Sequence, residues 1–358
     1  MRPSLSLLFL AASASCLCAS RCSGFGPGRE EASLSLLSYN VHNLFNAVDE
    51  GSEYPEFSLA SGRWDEARYR SRLAAVGKAV GAALPEGRWP DILCLEEVEN
   101  EAVLRDLAAG PLKAGAYRYL GMAPAPGSPV NCGILSSRPL AGLKAHCLAS
   151  GIPGRAVEGR CLLEARVEAG GTSLILFVLH WKSKLGGAEA SEALRREAAA
   201  LLAERVGLAL DEDPGALVLA CGDFNEGPDE YLRVGRRYPT ALLPQPEAGP
   251  GPGGPRILVT FEAACAGRAS GGEPVLYSPW AEGSGYSYSY QGGRERIDGF
   301  LLSAGLVDGR GLDFRGFSAV DAAFLLDAEG NPLAWSPSVP GGYSDHLPIL
   351  LLLQGEGR

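Results

Sequence analysis

Acidic residues, carboxamides and histidines gather at the ends of short apolar runs in this 358-residue chain. Asn40 closes the run at residues 34–39, and Glu96 and Glu97 close the run at 91–95. His180 ends the run at 173–179, and Gly222-Asp223-Phe224-Asn225 follows the run at 217–220. Asp298 stands at the start of 297–302, and Ser344-Asp345-His346 precedes 347–353. Carboxylates and carboxamides are hard oxygen donors that suit Mg2+, with Mn2+ and Ca2+ as alternatives, rather than zinc. Imidazoles move protons near neutral pH. Each feature alone has a plainer explanation. An Asp or Asn after a strand forms turns or caps helices, a lone Glu at a strand end is solvated, and a His beside an Asp is a satisfied pair. Their number and their order carry the weight. Together they describe an oxygen-ligated divalent cation with proton-transferring groups beside it.

The apolar runs must be the strands that present these groups. Continuous apolar runs mark strands covered on both faces, and loops at strand ends on a rigid sheet are where sites are built. Further strands are expected at 132–135 and in a hairpin around 143–147 and 161–167. Residues 64–83 carry Leu73, Val76 and Val80 at helical spacing, with Arg and Lys on the other face. Shorter and longer helices are expected at 101–107 and 189–210, the latter rich in Ala, Leu, Glu and Arg. Residues 244–255 are mostly Gly and Pro and read as a surface loop. No internal repeat or shift of composition divides the body of the chain. With 46% hydrophobic and 21% charged residues it is an ordinary globular sequence. No stretch of the body reaches the roughly 20 apolar residues needed to span a bilayer.

The start differs. Arg2, the apolar run at 5–14 and the small residues after it make residues 1–22 a secretory leader, with 23–33 as linker and 34–354 as one catalytic domain. The small residues before Cys16 also admit a lipoprotein processing site, although Ser13 stands where a larger apolar residue is usual. Secretion and lipid anchoring both stay open, and either places the chain in the periplasm, on the envelope or outside the cell. Cys94 and Cys221 lie in apolar runs and behave as small buried hydrophobes. Cys147 and Cys161 flank the expected hairpin and can pair in an oxidising compartment. No Cys or His spacing suggests zinc. The net charge of −10 provides no broad field for nucleic acid. That disfavours tight nonspecific binding and leaves room for a brief contact made through a metal and a few basic side chains.

Six segments, in this order, resemble the endonuclease/exonuclease/phosphatase superfamily of DNase I-like enzymes. They are Ser38-Tyr39-Asn40-Val41, Leu95-Glu96-Glu97-Val98-Glu99-Asn100, His180-Trp181-Lys182-Ser183-Lys184, Gly222-Asp223-Phe224-Asn225, Arg296-Ile297-Asp298 and Gly342-Tyr343-Ser344-Asp345-His346-Leu347-Pro348. The stretches Asn40-Val41-His42-Asn43-Leu44-Phe45 and Tyr288-Ser289-Tyr290-Gln291-Gly292 look most like a bacterial, often exported subgroup. The resemblance implies an α/β fold, a four-layer sandwich of two face-to-face mixed β-sheets flanked by helices. It implies a metal-dependent phosphoester hydrolase, with a nuclease acting outside the cytoplasm preferred. The rivals are a phosphatase or a sphingomyelin-type phospholipid phosphodiesterase, and a catalytically silent binding domain. The complete residue set argues against the last of these.

The same resemblance implies the roles. Glu97 is the principal metal carboxylate, helped by Asn40 and Asp345. His346 is the general base or a phosphate-polarising group, oriented by Asp298. His180 contacts the phosphate and is a candidate general acid, and Asp223 and Asn225 position or activate the attacking water and bind phosphate oxygens. Many members have Gln where Glu96 stands, so the part Glu96 plays is open. His42 occupies a position that is commonly Glu in the subgroup and reads as a packing or surface residue. His146 lies outside every motif. Lys182, Lys184, Arg195 and Arg296 are candidate substrate contacts. Trp181 reads as packing, and Tyr286, Tyr288 and Tyr290 either stack on bases or pack under loops. The expected partner is a phosphoester, preferably nucleic acid; no stable protein partner is implied, and the chain reads as a monomer that meets a membrane only through a lipid anchor. The chemistry is coherent: hydrolysis of a phosphodiester builds negative charge on nonbridging and leaving oxygens, which a metal and fixed donors must meet.

Overall fold

The computed structural model describes residues 33–148, 160–169, 171–245, 256–269, 271–337 and 341–355. The expected leader at 1–22, nearly all of the linker and most of the Gly/Pro loop lie outside the described residues. The described chain opens with β1 (Ser33–Leu44), α1 (Glu66–Gly81), β2 (Ile92–Val98), α2 (Glu101–Ala109), β3 (Tyr119–Ala123) and β4 (Asn131–Ser136). It continues with β5 (Leu140–His146), β6 (Leu162–Ala169), β7 (Thr172–His180), α3 (Ala188–Glu212), β8 (Leu217–Asp223) and the short α4 (Glu230–Arg233). Four short strands follow, β9 (Leu242–Pro244), β10 (Ile257–Thr260), β11 (Gly267–Arg268) and β12 (Pro274–Tyr277). The chain ends with β13 (Tyr288–Tyr290), β14 (Gly293–Glu295), β15 (Asp298–Leu302), β16 (Leu312–Ala319) and β17 (Ile349–Gly355).

Two mixed sheets result. One has the order β16-β17-β1-β2-β4-β3, the other β5-β6-β7-β8-β15-β12-β10-β9 with β11 beside β12. Period-two alternation explains how each sheet is covered twice. In β1, Leu34 and Leu36 face the other sheet, while Leu37, Tyr39 and Val41 pack toward α1 and α2. In β7, Leu174, Leu176 and Val178 face inward, and Ile175, Phe177 and Leu179 pack against Leu202, Ala203 and Val206 of α3. Helix, sheet, sheet and helix make four layers, the expected DNase I-like sandwich.

The structure corrects several expectations. Helix α1 starts at Glu66 rather than at residue 64, because the Asp65 side chain accepts from Arg68 N and caps it. Trp64 belongs to the core, where its indole donates to the Asn46 carbonyl at 2.6 Å. Arg72 is not on the solvated face of α1 but completely buried. The strands β3, β9, β10, β12 and β16 carry no long apolar run, being short or half-exposed edge strands. Among the described residues, no helix is long and apolar enough to cross a membrane.

Candidate active site

The polar ends of the central strands meet at one end of both sheets, and register explains why. Parallel pairing of β7 with β8 sets His180 opposite Asp223, and antiparallel pairing of β8 with β15 sets Asp223 opposite Asp298. One row across the second sheet therefore carries all three. Gly222 permits this: with φ of 137°, any Cβ there would lie 1.9 Å from the Leu179 carbonyl oxygen of β7. On the first sheet, parallel pairing sets Asn40 opposite Glu96, and the Ser344 hydroxyl donates to the Asn40 carbonyl at 2.7 Å. Asp345 and His346 are thereby delivered to the same end.

Backbone irregularities aim the first sheet's groups. The register shifts between Asn40 and Leu44 and again between Leu95 and Val98. His42, Asn43 and Glu97 have φ of 53°, 59° and 63° at these bulges. Such conformations are costly for non-glycine residues and collect at functional sites. The bulge swings Glu97 out of the strand's alternation. Its carboxylate accepts from Asn43 N at 2.8 Å and from the Asn40 amide at 3.3 Å. Glu96 instead stays in the inner layer, fully buried, accepting from the Ser38 hydroxyl at 3.1 Å. Burial between the sheets raises its carboxyl well above the usual range.

Asp223 lies at the centre. It accepts from the Asn40 amide at 3.0 Å and from Asn225 N at 2.8 Å. His180 Nε2 is 3.4 Å away and His346 Nε2 3.8 Å away. Burial, aided by the charge of Asp298 and only partly offset by His346, pushes the Asp223 carboxyl up to about 7. His346 Nδ1 lies 2.8 Å from Asp298 Oδ2, and both side chains are buried. Burial alone would lower this imidazole, but the carboxylates of Asp298, Asp223 and Asp345 outweigh it and raise it well above its usual range. His180 goes the other way. Burial, with the positive charges of Arg160 and His346 nearby, holds it well below its usual range. Its Nε2 is 3.8 Å from Glu97, and its Nδ1 is buried with no hydrogen-bond partner among the described residues.

The donor set fits a divalent cation. Glu97, Asp223, Asp298 and Asp345 converge, and no Lys or Arg forms an ion pair with any of them among the described residues. Glu97 and Asp345 keep partly exposed oxygens, and oxygen donors suit Mg2+ or Mn2+. Asp223, Asp298 and His346 also gather within 4.8 Å of one another. There the two carboxylates approach opposite nitrogens of one ring, which is a hydrogen-bonded chain rather than a ligand cage.

The basic candidates divide. Lys182 has no ion-pair partner among the described residues. Lys184 is not free for substrate, since Glu230 at 3.0 Å and Glu295 at 2.8 Å hold it. Arg195 is completely buried and corrects the expectation of a substrate contact: it pairs with Glu192 and Glu226 and donates to the Lys182 and Ala188 carbonyls, bracing the start of α3. Arg296 donates to the Gly285 carbonyl at 3.0 Å and lies over the Trp280 ring, which ties it to the loop at 280–285. Asn225 spends its amide on the Trp181 carbonyl at 3.1 Å. Trp181 packs edge-on against Phe224.

Three residues escaped the sequence reading. His42 is at the site rather than in packing, with Nδ1 3.4 Å from Asp345 Oδ1. Burial opposes ionisation of Asp345, yet His346, His42 and hydrogen bonds from its own backbone and Ser344 hold its carboxyl below the usual range. Arg160, just before β6, is hydrogen-bonded to Tyr54 and close enough to His180 to bias its charge. Arg72 donates to the carbonyls of Val41, His42 and Tyr343, and so clamps the bulge beside Asn40 to the segment that carries Asp345. Cys147 and Cys161 form a disulfide, and His146 pairs with Glu164 far along the chain from any motif.

Comparisons with known proteins agree with this architecture. The model of the Endonuclease/Exonuclease/phosphatase family matches residues 35–233. The match ends before Asp298, Asp345 and His346, whose place in the site rests on geometry. The structure is similar to truncated Caenorhabditis elegans TDP2, at 18% identity over 90% of this chain and 98% of that one, with TM-score 0.51. It is also similar to an endonuclease/exonuclease/phosphatase family protein from Bacteroides thetaiotaomicron, at 14% identity over 92% and 100% of the two chains, with TM-score 0.51. The human Nocturnin catalytic domain gives 15% identity over 90% and 93%, with TM-score 0.50. Identities this low show the fold alone. No curated protein matches the chain in sequence.

Proposed function

Because the chain belongs to the Endonuclease/Exonuclease/phosphatase family, and is therefore a phosphoester hydrolase, we propose that it cleaves phosphodiesters with a divalent cation and that its substrate is nucleic acid met outside the cytoplasm. The observation that carries this reading is the cluster of four carboxylates around two imidazoles with opposite charge tendencies, all at the end of one pair of sheets. Glu97 and Asp345, with the Asn40 amide, are the groups that hold the cation. A cation bound there supplies the positive charge that meets the negative charge growing on phosphate oxygens. Asp223, oriented by Asn40 and Asn225, takes the proton of the attacking water; a carboxyl pushed up to about 7 is a fitting base near neutral pH. His346, kept cationic by Asp298, polarises the phosphate instead of accepting a proton. His180 is neutral and offers a hydrogen bond from the opposite side. Arg160 and Lys182 are the basic side chains left to meet phosphate oxygens.

Action outside the cytoplasm is supported by the leader-like start and by the Cys147–Cys161 disulfide, a bond that persists in oxidising compartments. A second reading, a phospholipid head-group diesterase, is favoured by Leu185, which is 82% exposed on the segment after His180 where it would touch a bilayer. One assay separates the two. Purified protein is given single-stranded DNA, RNA, sphingomyelin vesicles, an inositol phosphate and p-nitrophenyl phosphate, each with Mg2+ and again with EDTA. The proposal expects the highest kcat/KM on a nucleic acid and none with EDTA. Activity that survives EDTA, or a clear preference for the vesicles, overturns it.

A further inference from the structure

The β13–β14 hairpin is built to present aromatic rings. Its two-residue turn, Gln291-Gly292, has φ of 49° and 79°, both left-handed, the geometry of a tight type I′ hairpin. Tyr288 and Tyr290 are two residues apart on one strand and so share a face. Their rings are nearly parallel, 9° apart in plane, with centroids 6.5 Å apart. The inner ring, Tyr288, lies 4.6 Å from the His346 imidazole, and its backbone forms an antiparallel bridge with His346. The outer ring, Tyr290, is 54% exposed, the most exposed aromatic side chain among the described residues. Its hydroxyl accepts from its neighbour Gln291 at 3.2 Å, its one hydrogen bond among the described residues. The base of the hairpin is tied down, since Arg294 donates to the Glu329 and Gly330 carbonyls and lies over the Tyr286 ring. An aromatic row thus begins at His346 and ends in solvent on a fixed hairpin.

We propose that Tyr288 and Tyr290 form a stacking subsite for a nucleobase next to the scissile phosphate, so that the enzyme selects diesters whose bases are unstacked and free to leave the strand. This rests on the nucleic-acid reading given above. The charge of the chain supports it. At a net −10 the protein attracts a phosphate backbone weakly outside its metal and its few basic side chains, so contacts that do not depend on charge gain weight in its affinity for a nucleic acid. Base–aromatic stacking is such a contact, worth roughly 1–3 kcal/mol per base and tolerant of sequence. Tyrosine gives up little conformational entropy in making it. Bases in a duplex are already stacked, and freeing one costs a few kcal/mol, so single strands and frayed ends are favoured.

The test compares wild type, Tyr290→Ala and Tyr290→Phe on a short single-stranded DNA and on the same strand with abasic tetrahydrofuran units, with methyl p-nitrophenyl phosphate as a base-free reference. Tyr290→Ala is expected to raise KM for the base-bearing strand by about tenfold, with kcat changed less than about twofold. Tyr290→Phe restores KM, and the abasic strand no longer distinguishes the variants. With EDTA present, a 2-aminopurine in the strand is quenched on binding wild type and Tyr290→Phe but not Tyr290→Ala. Equal KM increases on base-bearing and abasic strands, or no increase at all, overturn the subsite while leaving a nuclease. Wild type that cleaves methyl p-nitrophenyl phosphate but neither strand overturns the nucleic-acid reading, and the subsite with it. Circular dichroism of Tyr290→Ala confirms that the variant is folded.

Discussion

Two histidine–carboxylate pairs in this protein have almost the same contact and different surroundings. His146 Nε2 lies 2.7 Å from Glu164, and His346 Nδ1 lies 2.8 Å from Asp298. The first pair sits where β5 meets β6, with Lys144 and Arg205 also within ion-pair range of Glu164. Its carboxylate is also met by the Lys144 and Arg205 side chains. The second pair is buried where strand ends converge. The remaining nitrogen of His346 points at Asp223, and the carboxylates around it outnumber the cations. The contact distance therefore says little. What distinguishes the candidate active site is unbalanced negative charge together with a ring nitrogen left over to meet a substrate.

That contrast predicts where substitution hurts. The largest loss is expected from Glu97→Gln, which removes charge from the imbalance itself. Losing several kcal/mol of charge stabilisation lowers kcat by about 10³-fold, with cation affinity, measured by calorimetry, falling alongside. Unchanged Mg2+ binding in this variant would remove Glu97 from the cation site.

Next come Asp298→Ala and His346→Ala, each expected to cost about 10²–10⁴-fold in kcat. Because the two act as a unit, the double variant should be scarcely worse than the more damaged single one. Multiplicative losses would show two independent residues. The charge states can be read directly by ring-nitrogen NMR of metal-free protein between about pH 6 and 8. His346, raised well above its usual range, should stay protonated there, and His180, lowered well below it, should stay neutral. Ordinary titration of either ring near 6.5 would break the contrast drawn here.

The smallest effect belongs to the other pair. Burial works to raise the Glu164 carboxyl, but His146, Lys144 and Arg205 outweigh it and hold it below the usual carboxylate range. A depressed carboxylate contributes stability above its unfolded pKa and loses it as pH falls through the folded one. Glu164→Gln should thus cost about 1 kcal/mol of stability at neutral pH, with the difference from wild type closing as pH falls through the depressed carboxyl range. Activity should change less than about twofold. A loss of activity comparable to that of His346→Ala would show that the β5–β6 edge is coupled to the site.

The gathering of the candidate site residues was legible because apolar runs stop where these polar groups stand. Asn40, Glu97, His180, Asp223, Asp298, Asp345 and His346 all border runs that turned out to be central strands, and a strand's end is fixed by its length. The order of motifs along the chain sufficed for the family and the fold. Long cations were not legible. Arg72 and Arg195 carry ordinary charged labels in an amphipathic helix, yet both are buried. The carbonyls that Arg72 serves, Val41 and Tyr343, lie 31 and 271 residues away in the chain, and no local pattern can announce such partners. The bulges that turn Glu97 outward and leave Glu96 buried between the sheets were equally hidden, since alternation alone cannot say where a strand slips register. The sequence by itself determined which polar groups are present and at which strand ends. Only the tertiary structure decided the charge of each imidazole, because that depends on how many carboxylates from distant strands share one buried space.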